Sequence, residues 1–200
     1  MPLKIAIDLD NVVITTTETL ISFINERLPV NLKMEDITSY SIEAALPQQY
    51  RWIVDCGFRS KDMWREVQVM PYAANIIKQL YDEGHEIFFA TSSLPENLRK
   101  KINHLSRNMH LPKDYVERHT ININDKYLLN VDVLIDDCPE HIGNAKRNYY
   151  SVVFDYPWNR GNDIDKLPCV TRVKDWIGAY EAIKIIESLI KENENDDVTP

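Results

Sequence analysis

Four short apolar runs along the chain have the pattern of strands that are buried on both faces. They are mostly apolar and rich in isoleucine, valine and phenylalanine, as strands of a parallel sheet usually are. The predicted strands are Leu3–Asp8, Glu86–Ala90, Asp132–Ile135 and Ser151–Phe154.

Helical patterns lie between these runs. Residues 72–83 place apolar side chains on one face and stop at Gly84, which is a helix C-terminal signal. Two further helices, from 93 to about 108 and from 137 to about 148, begin with capping-box spacing, and a last helix spans about 175–191. Strands that alternate with helices predict an α/β fold with a Rossmann-like parallel sheet flanked by helices.

Residues 15–70 interrupt this alternation. They contain no convincing strand and are predicted to form several short helices, at residues 16–27, 34–45, 47–56 and 60–67. We expect them to form a small helical cap that is inserted after the first strand and packs over one end of the sheet. The predicted α/β core is then residues 1–14 and 71–191, and the acidic tail 192–200 is predicted to be disordered.

The composition is that of a globular protein and restricts the class of partner. Of the 200 residues, 44% are hydrophobic and 27% are charged, and the net charge is −8. Because the basic residues form no block, we expect no binding surface for a nucleic-acid polymer. No apolar run reaches the roughly 18 residues of a membrane span, and we expect no leader segment. Three scattered cysteines suit a reducing compartment, so a cytoplasmic location is predicted.

The residues that could carry chemistry follow the ends of three predicted strands. Ligands of an open parallel sheet bind beyond the carboxyl ends of its strands, and we expect these side chains to converge there. They are Asp8, Asp10, Thr91, Ser92, Asp136 and Asp137, together with Lys126 in the polar segment before the third strand. Carboxylates can hold a hard cation such as Mg²⁺, while hydroxyl groups and a lysine can bind phosphoryl oxygens.

Each of these residues also has an ordinary structural explanation. Asp8 and Asp10 could belong to an acidic turn, Asp137 could be only a helix N-cap, and Lys126 could be a surface lysine. Two carboxylates held so close together repel, however, and sites that keep both usually bind a cation or use them chemically. The order of the whole set along the chain favours the chemical interpretation.

That order resembles the four motifs of the haloacid-dehalogenase-like phosphohydrolase superfamily: Asp-x-Asp, then Thr/Ser after an apolar strand, then Lys, then Asp-Asp. The stretches "MWREVQVMPYAANIIKQLYDEGHEIFFATSS", "LIDDCPEHI" and "FDYPWNR" further resemble its 5′(3′)-deoxyribonucleotidase-like branch. One departure is Asn11, which stands where the superfamily usually has glycine after the second aspartate. Because asparagine tolerates a positive φ, we expect the active site to be intact.

The resemblance implies a phosphomonoester hydrolase that depends on Mg²⁺ and forms an aspartyl-phosphate. Asp8 would be the nucleophile, and Asp10 the general acid and then the general base. Mg²⁺ would bind the carboxylate of Asp8, the backbone carbonyl of Asp10 and Asp136, with Asp137 in support. The phosphoryl group would be held by Thr91, Ser92 and Lys126.

The substrate implied by the resemblance is a (deoxy)nucleoside monophosphate, and the cap residues Phe58 and Trp64 are expected to line its pocket. Aromatic faces can stack on a base, although cap aromatics can also simply form the core of the cap. The alternatives are a general phosphatase of sugars or other small metabolites, a non-catalytic binding protein and a phospho-receiver module. The expected partner is a small phosphorylated substrate, with no nucleic-acid polymer and no membrane. Homodimer formation stays open.

Overall fold

In the computed structural model, which describes residues 2–161 and 163–196, the first strand lies near the centre of a six-stranded sheet. The strands are β1 (Lys4–Ile7), β2 (Glu86–Thr91), β3 (Thr120–Asn122), β4 (Val133–Asp136), β5 (Tyr150–Phe154) and β6 (Val170–Val173). Their order is β3-β2-β1-β4-β5-β6, and all neighbouring pairs are parallel. The predicted α/β fold is therefore confirmed.

Helices follow most of the strands. They are α1 (Thr16–Asn25), α2 (Trp52–Arg59), α3 (Lys61–Glu66), α4 (Ala73–Asp82), α5 (Pro95–Asn108), α6 (Lys113–Arg118), α7 (Pro139–Ile142) and α8 (Trp176–Asp196). Within the described residues, no helix combines the length and the apolar character that crossing a membrane requires.

The core packs around β1, whose residues Ile5, Ala6 and Ile7 are fully buried. The indole of Trp176, at the start of α8, is also fully buried and its Nε1 donates a hydrogen bond to the carbonyl of Val12 at 2.7 Å. The last helix therefore anchors the turn that follows the first strand, at the edge of the sheet where ligands are expected.

The two ends of the segment 15–70 lie side by side. Thr15 N–H donates to the carbonyl of Gln68 at 3.0 Å, and Met70 N–H donates to the carbonyl of Val13 at 2.8 Å. This short pairing returns the chain to the sheet after α1, α2 and α3. The predicted helix over residues 34–45 is wrong, because that stretch forms two 3₁₀ turns, Met34–Asp36 and Ile42–Ala45.

Three further details differ from the sequence-based expectations. The edge strands β3 and β6 were not predicted, because they are short and carry partly exposed side chains. The predicted helix from 137 to about 148 ends at Ile142, where Gly143 follows. Helix α8 continues to Asp196, so the first five residues of the predicted disordered tail are helical, while 197–200 lie outside the described residues.

A buried histidine joins the N-terminus to the turn before β2. Nδ1 of His85 accepts a hydrogen bond from the backbone N–H of Leu3 at 3.0 Å, and the side chain is almost fully buried. Burial lowers the pKa of His85 below its ordinary value, because it disfavours the imidazolium form. This histidine is thus held neutral with Nδ1 as an acceptor.

We expect His85 to make the fold sensitive to acid. A histidine whose pKa is depressed in the folded state adds stability above its unfolded pKa of about 6.5, and this contribution is lost as the pH falls, since the unfolded chain binds the proton more readily. His85→Asn keeps an acceptor for Leu3 N–H without titrating, because the amide oxygen of asparagine is attached to Cγ as Nδ1 is. Urea denaturation at pH 7.5 and pH 5 should show a smaller loss of unfolding free energy in the variant, and parallel losses would contradict the prediction.

Candidate active site

Three buried carboxylates meet beyond the ends of β1 and β4. Asp8 directly follows β1, Asp136 is the last residue of β4, and Asp137 comes next. Since β1 and β4 are adjacent and in register, with Ile7 opposite Ile135, these residues reach the same point. One oxygen from each carboxylate lies within 4.8 Å of the others, and all three side chains are buried. The sequence-based expectation that these residues converge agrees with the structure.

Lys126 lies between two of these carboxylates. It begins the 3₁₀ turn Lys126–Leu128, and its Nζ donates to Oδ1 of Asp8 and, at 2.7 Å, to Oδ2 of Asp136. Its burial alone would lower the pKa of Lys126, but the attraction of Asp136 and Asp8 outweighs burial and raises it. The residue is 1% exposed, so the surface-lysine interpretation is wrong.

The two aspartates at the end of β4 differ in their hydrogen bonds. Oδ2 of Asp136 accepts from Lys126 and, at 2.8 Å, from Nδ1 of His141, and its Oδ1 accepts from the N–H of Cys138 at 2.8 Å. Burial raises the pKa of Asp136, but Lys126 and His141 together bring it well below its usual range. Both oxygens of Asp136 therefore already have partners.

Asp137 keeps one oxygen without a partner. Its Oδ2 accepts a hydrogen bond from Nδ2 of Asn11 at 3.1 Å, whereas its Oδ1 is buried and has no hydrogen-bond partner among the described residues. Burial and the neighbouring charges of Asp8 and Asp136 raise the pKa of Asp137. Burial also raises the pKa of Asp8 to about 6, against the attraction of Lys126.

This cluster fits a hard divalent cation. A buried polar atom without a partner is costly, and oxygen ligands from carboxylates are what Mg²⁺ prefers. The unpartnered Oδ1 of Asp137 and the carboxylate of Asp8 are the available donors. Asp136 is better suited to hold Lys126 and His141, which differs from the expectation that Asp136 would be the direct ligand and Asp137 its support.

A second buried lysine, which the sequence analysis did not identify, lies on the other side of the site. Nζ of Lys101, on α5, donates to Oδ2 of Asp10, to Oγ of Ser93 and, at 2.9 Å, to Oγ1 of Thr91. The buried positions of α5 are Asn97, Lys101 and Leu105, which lie four residues apart on one face of the helix. A lysine on the helix face that turns toward the core was the feature of the sequence that could have identified Lys101 as a site residue.

Asp10 is held from two sides, since its Oδ1 accepts from the hydroxyl of Thr16 and its Oδ2 from Lys101. Thr91, at the end of β2, is fully buried beside Lys101. Ser92 is exposed and donates to Oδ1 of Asn124 at 2.6 Å. The structure thus brings Thr91 into contact with Lys101, which also binds Asp10, and leaves Ser92 exposed beside them.

A cleft of about 290 Å³ is lined both by Asp10 and Lys101 and by residues of the segment 15–70. Its lining includes Asp10, Ser92 and Lys101 from the site and Phe58 and Trp64 from the segment 15–70. Nε1 of Trp64 donates to the carbonyl of Phe58 at 2.7 Å, and Nζ of Lys101 lies 5.9 Å from the centre of the Trp64 ring. Both aromatic residues proposed from the sequence therefore lie at the cleft.

Comparison with known proteins shows the family of the chain. Residues 2–189 match the family described as "5' nucleotidase, deoxy (Pyrimidine), cytosolic type C protein". The chain belongs to this nucleotidase family. It is therefore a phosphatase of the haloacid-dehalogenase-like superfamily, and the resemblance found in the sequence is confirmed.

Sequence relatives of this nucleotidase-family chain match most of its length at low identity. A protein of Staphylococcus epidermidis named as a 5′(3′)-deoxyribonucleotidase is 28% identical over 142 residues, which cover 70% of this chain and 76% of that protein. One of Bordetella pertussis with the same name is 27% identical over 128 residues, covering 63% and 68%.

Solved structures also resemble it. A haloacid-dehalogenase-family hydrolase from Deinococcus radiodurans, determined with bound phosphate and sodium, has a TM-score of 0.64 and 14% identity, covering 93% of this chain and 96% of that one. A predicted phosphatase from Clostridium acetobutylicum has a TM-score of 0.55 and 13% identity, covering 94% and 100%.

The different partners of Asp136 and Asp137 predict opposite effects of two matched substitutions. Asp136→Asn leaves Lys126 with a single carboxylate, and breaking a buried ion pair costs about 3–5 kcal/mol. Asp137→Asn instead removes one of three mutually repelling carboxylates. In EDTA, denaturant unfolding should show a marked loss of stability for Asp136→Asn, with no loss or a gain for Asp137→Asn. Equal losses would contradict the distinction drawn between them.

Proposed function

We propose that this nucleotidase-family chain hydrolyses (deoxy)nucleoside monophosphates, with Mg²⁺ as cofactor and an aspartyl-phosphate on Asp8 as the intermediate. The observation that carries the proposal is the position of Asp8, whose Oδ1 accepts a hydrogen bond from Lys126 and whose carboxylate has an oxygen within 4.8 Å of oxygens of Asp136 and Asp137. The names of the relatives from Staphylococcus and Bordetella support the choice of substrate class.

In the first step, a carboxylate oxygen of Asp8 attacks phosphorus, and the bond from phosphorus to the ester oxygen breaks. Lys126 holds the attacking carboxylate in place, because its Nζ donates a hydrogen bond to Oδ1 of Asp8. Asp10 gives a proton to the leaving alkoxide. Its own position is fixed by Thr16 and Lys101, which contact its two oxygens.

In the second step, Asp10 takes a proton from water, which attacks phosphorus and breaks its bond to Asp8. Inorganic phosphate is released and the free carboxylate of Asp8 is restored. The two aspartates thus have different roles, and each has its own lysine.

The phosphoryl oxygens would be held by Thr91, Ser92 and Lys101, with Lys126 reducing the negative charge around the nucleophile. Mg²⁺ would bind the carboxylates of Asp8 and Asp137 and the backbone carbonyl of Asp10, while Asp136 supports the site through Lys126. When bound, the cation would stabilise negative charge on the phosphoryl oxygens.

We also propose a cytoplasmic location. The three cysteines, Cys56, Cys138 and Cys169, all lie among the described residues and are unpaired. Unpaired thiols are the norm where glutathione and thioredoxin keep the compartment reducing.

The covalent mechanism is tested by Asp8→Asn, which keeps the shape of the side chain and removes the nucleophile. Turnover of dUMP with Mg²⁺ should fall by more than about a thousandfold, and EDTA should abolish wild-type turnover until Mg²⁺ is returned. Mass spectrometry of the acid-quenched wild type should find phosphate on the peptide containing Asp8. Wild-type turnover by Asp8→Asn, or turnover indifferent to EDTA, would refute the mechanism.

The substrate class is tested at Trp64. Stacking on a base is worth about 1–3 kcal/mol, so Trp64→Ala should lower kcat/KM for dUMP and dTMP by roughly 5- to 100-fold. Its effect on p-nitrophenyl phosphate and on sugar phosphates, which have no nucleobase, should be much smaller. Trp52→Ala is a matched control, because Trp52 belongs to the same segment but is 57% exposed and does not line the cleft.

Two outcomes would contradict the nucleotide assignment. Equal losses for nucleotides and simple esters would make Trp64 a packing residue of the segment 15–70. A wild type without preference for nucleotides would instead support the alternative of a general small-molecule phosphatase.

A further inference from the structure

Asn11 contacts Asp137, the start of α1 and Tyr156 through its side chain and its backbone carbonyl. Its Nδ2 donates to Oδ2 of Asp137 at 3.1 Å, and its Oδ1 accepts from the N–H of Thr17 at 2.9 Å. Its backbone carbonyl accepts from the hydroxyl of Tyr156 at 2.8 Å. The residue is 8% exposed, and its φ of 60° lies in the left-handed region, which asparagine tolerates better than most residues.

The amide of Asn11 determines which oxygen of Asp137 is available. With Oδ2 engaged by Asn11, the buried Oδ1 is the oxygen without a partner. A carboxylate without such a contact could rotate and present either oxygen. Groups that orient a metal ligand through a hydrogen bond typically change metal affinity by about 10- to 100-fold when they are removed.

The same side chain supports the beginning of α1. Thr15, which precedes α1, makes no side-chain hydrogen bond to the free N–H groups of its first turn. Oδ1 of Asn11 accepts from one of them, the N–H of Thr17. Because α1 is the first helix of the segment 15–70, Asn11 joins that segment to the carboxylate cluster. A glycine at this position would make neither side-chain contact.

We propose that Asn11 is a positioning residue for the cation. It engages Oδ2 of Asp137, so that Oδ1 would be free to bind the metal, and it ties that ligand to the start of α1. The inference rests on the proposed function, because it assumes the metal site described there. It assigns a role to the residue that stands where the superfamily usually has glycine.

The test is Asn11→Gly, which removes both side-chain contacts and keeps a residue that readily adopts the same φ. Calorimetric titration of the substrate-free protein with Mg²⁺ should give a Kd raised by about 10-fold or more. Turnover lost at low Mg²⁺ should be regained at high Mg²⁺. Tyr156→Phe is the matched control, since it removes a tether to the backbone of Asn11 and leaves the amide contact with Asp137.

The outcomes separate this inference from the proposed function. A wild type that binds no Mg²⁺ would refute the metal site itself. A wild type that binds Mg²⁺ with the same Kd as Asn11→Gly would overturn only the role of Asn11. Equal weakening by Asn11→Gly and Tyr156→Phe would also overturn it, because the effect would then come from loosening the whole turn.

Discussion

The ammonium group of Lys126 is shared by the carboxylates of Asp8 and Asp136 in a site that water hardly reaches. Three buried carboxylates at adjacent strand ends repel one another, and an isolated buried charge is very costly. Lys126 offsets part of that cost and fixes the position of Asp8 directly beyond β1. The remaining excess of negative charge is what makes the site suited to a divalent cation.

Asp8 and Asp10 are two residues apart but lie in different electrostatic surroundings. Asp8 is buried and bound by Lys126, whereas Asp10 is partly exposed at the cleft and bound by Lys101 and Thr16. Separate environments allow neighbouring carboxyl groups to take separate roles in one reaction. The proposed division between nucleophile and proton carrier therefore has a structural basis in two lysines from different elements.

Most of the sheet could be predicted because its central strands are continuous apolar runs. Residues such as Ile5, Ile7 and Ile135 are buried whatever the details of the fold, so their pattern is visible in the sequence. The edge strands β3 and β6 lack this pattern, because an edge strand is covered on fewer sides and its pairing depends on the neighbouring strand. The helices of the segment 15–70 were harder still to predict, since the stretch 34–45 forms turns whose shape depends on packing.

By itself, the sequence determined the fold class, the superfamily and the convergence of Asp8, Asp136 and Asp137 at the strand ends, since parallel strands place their carboxyl ends along one edge. Only the tertiary structure decided which carboxylate has a free oxygen and which is occupied. Asp136 and Asp137 are adjacent and chemically identical in the sequence. They differ because Lys126 and His141 reach one, while Asn11 reaches a single oxygen of the other. The contacts of Lys101 with Asp10 and Thr91 were also decided by the tertiary structure, because they depend on the packing of α5 against the sheet.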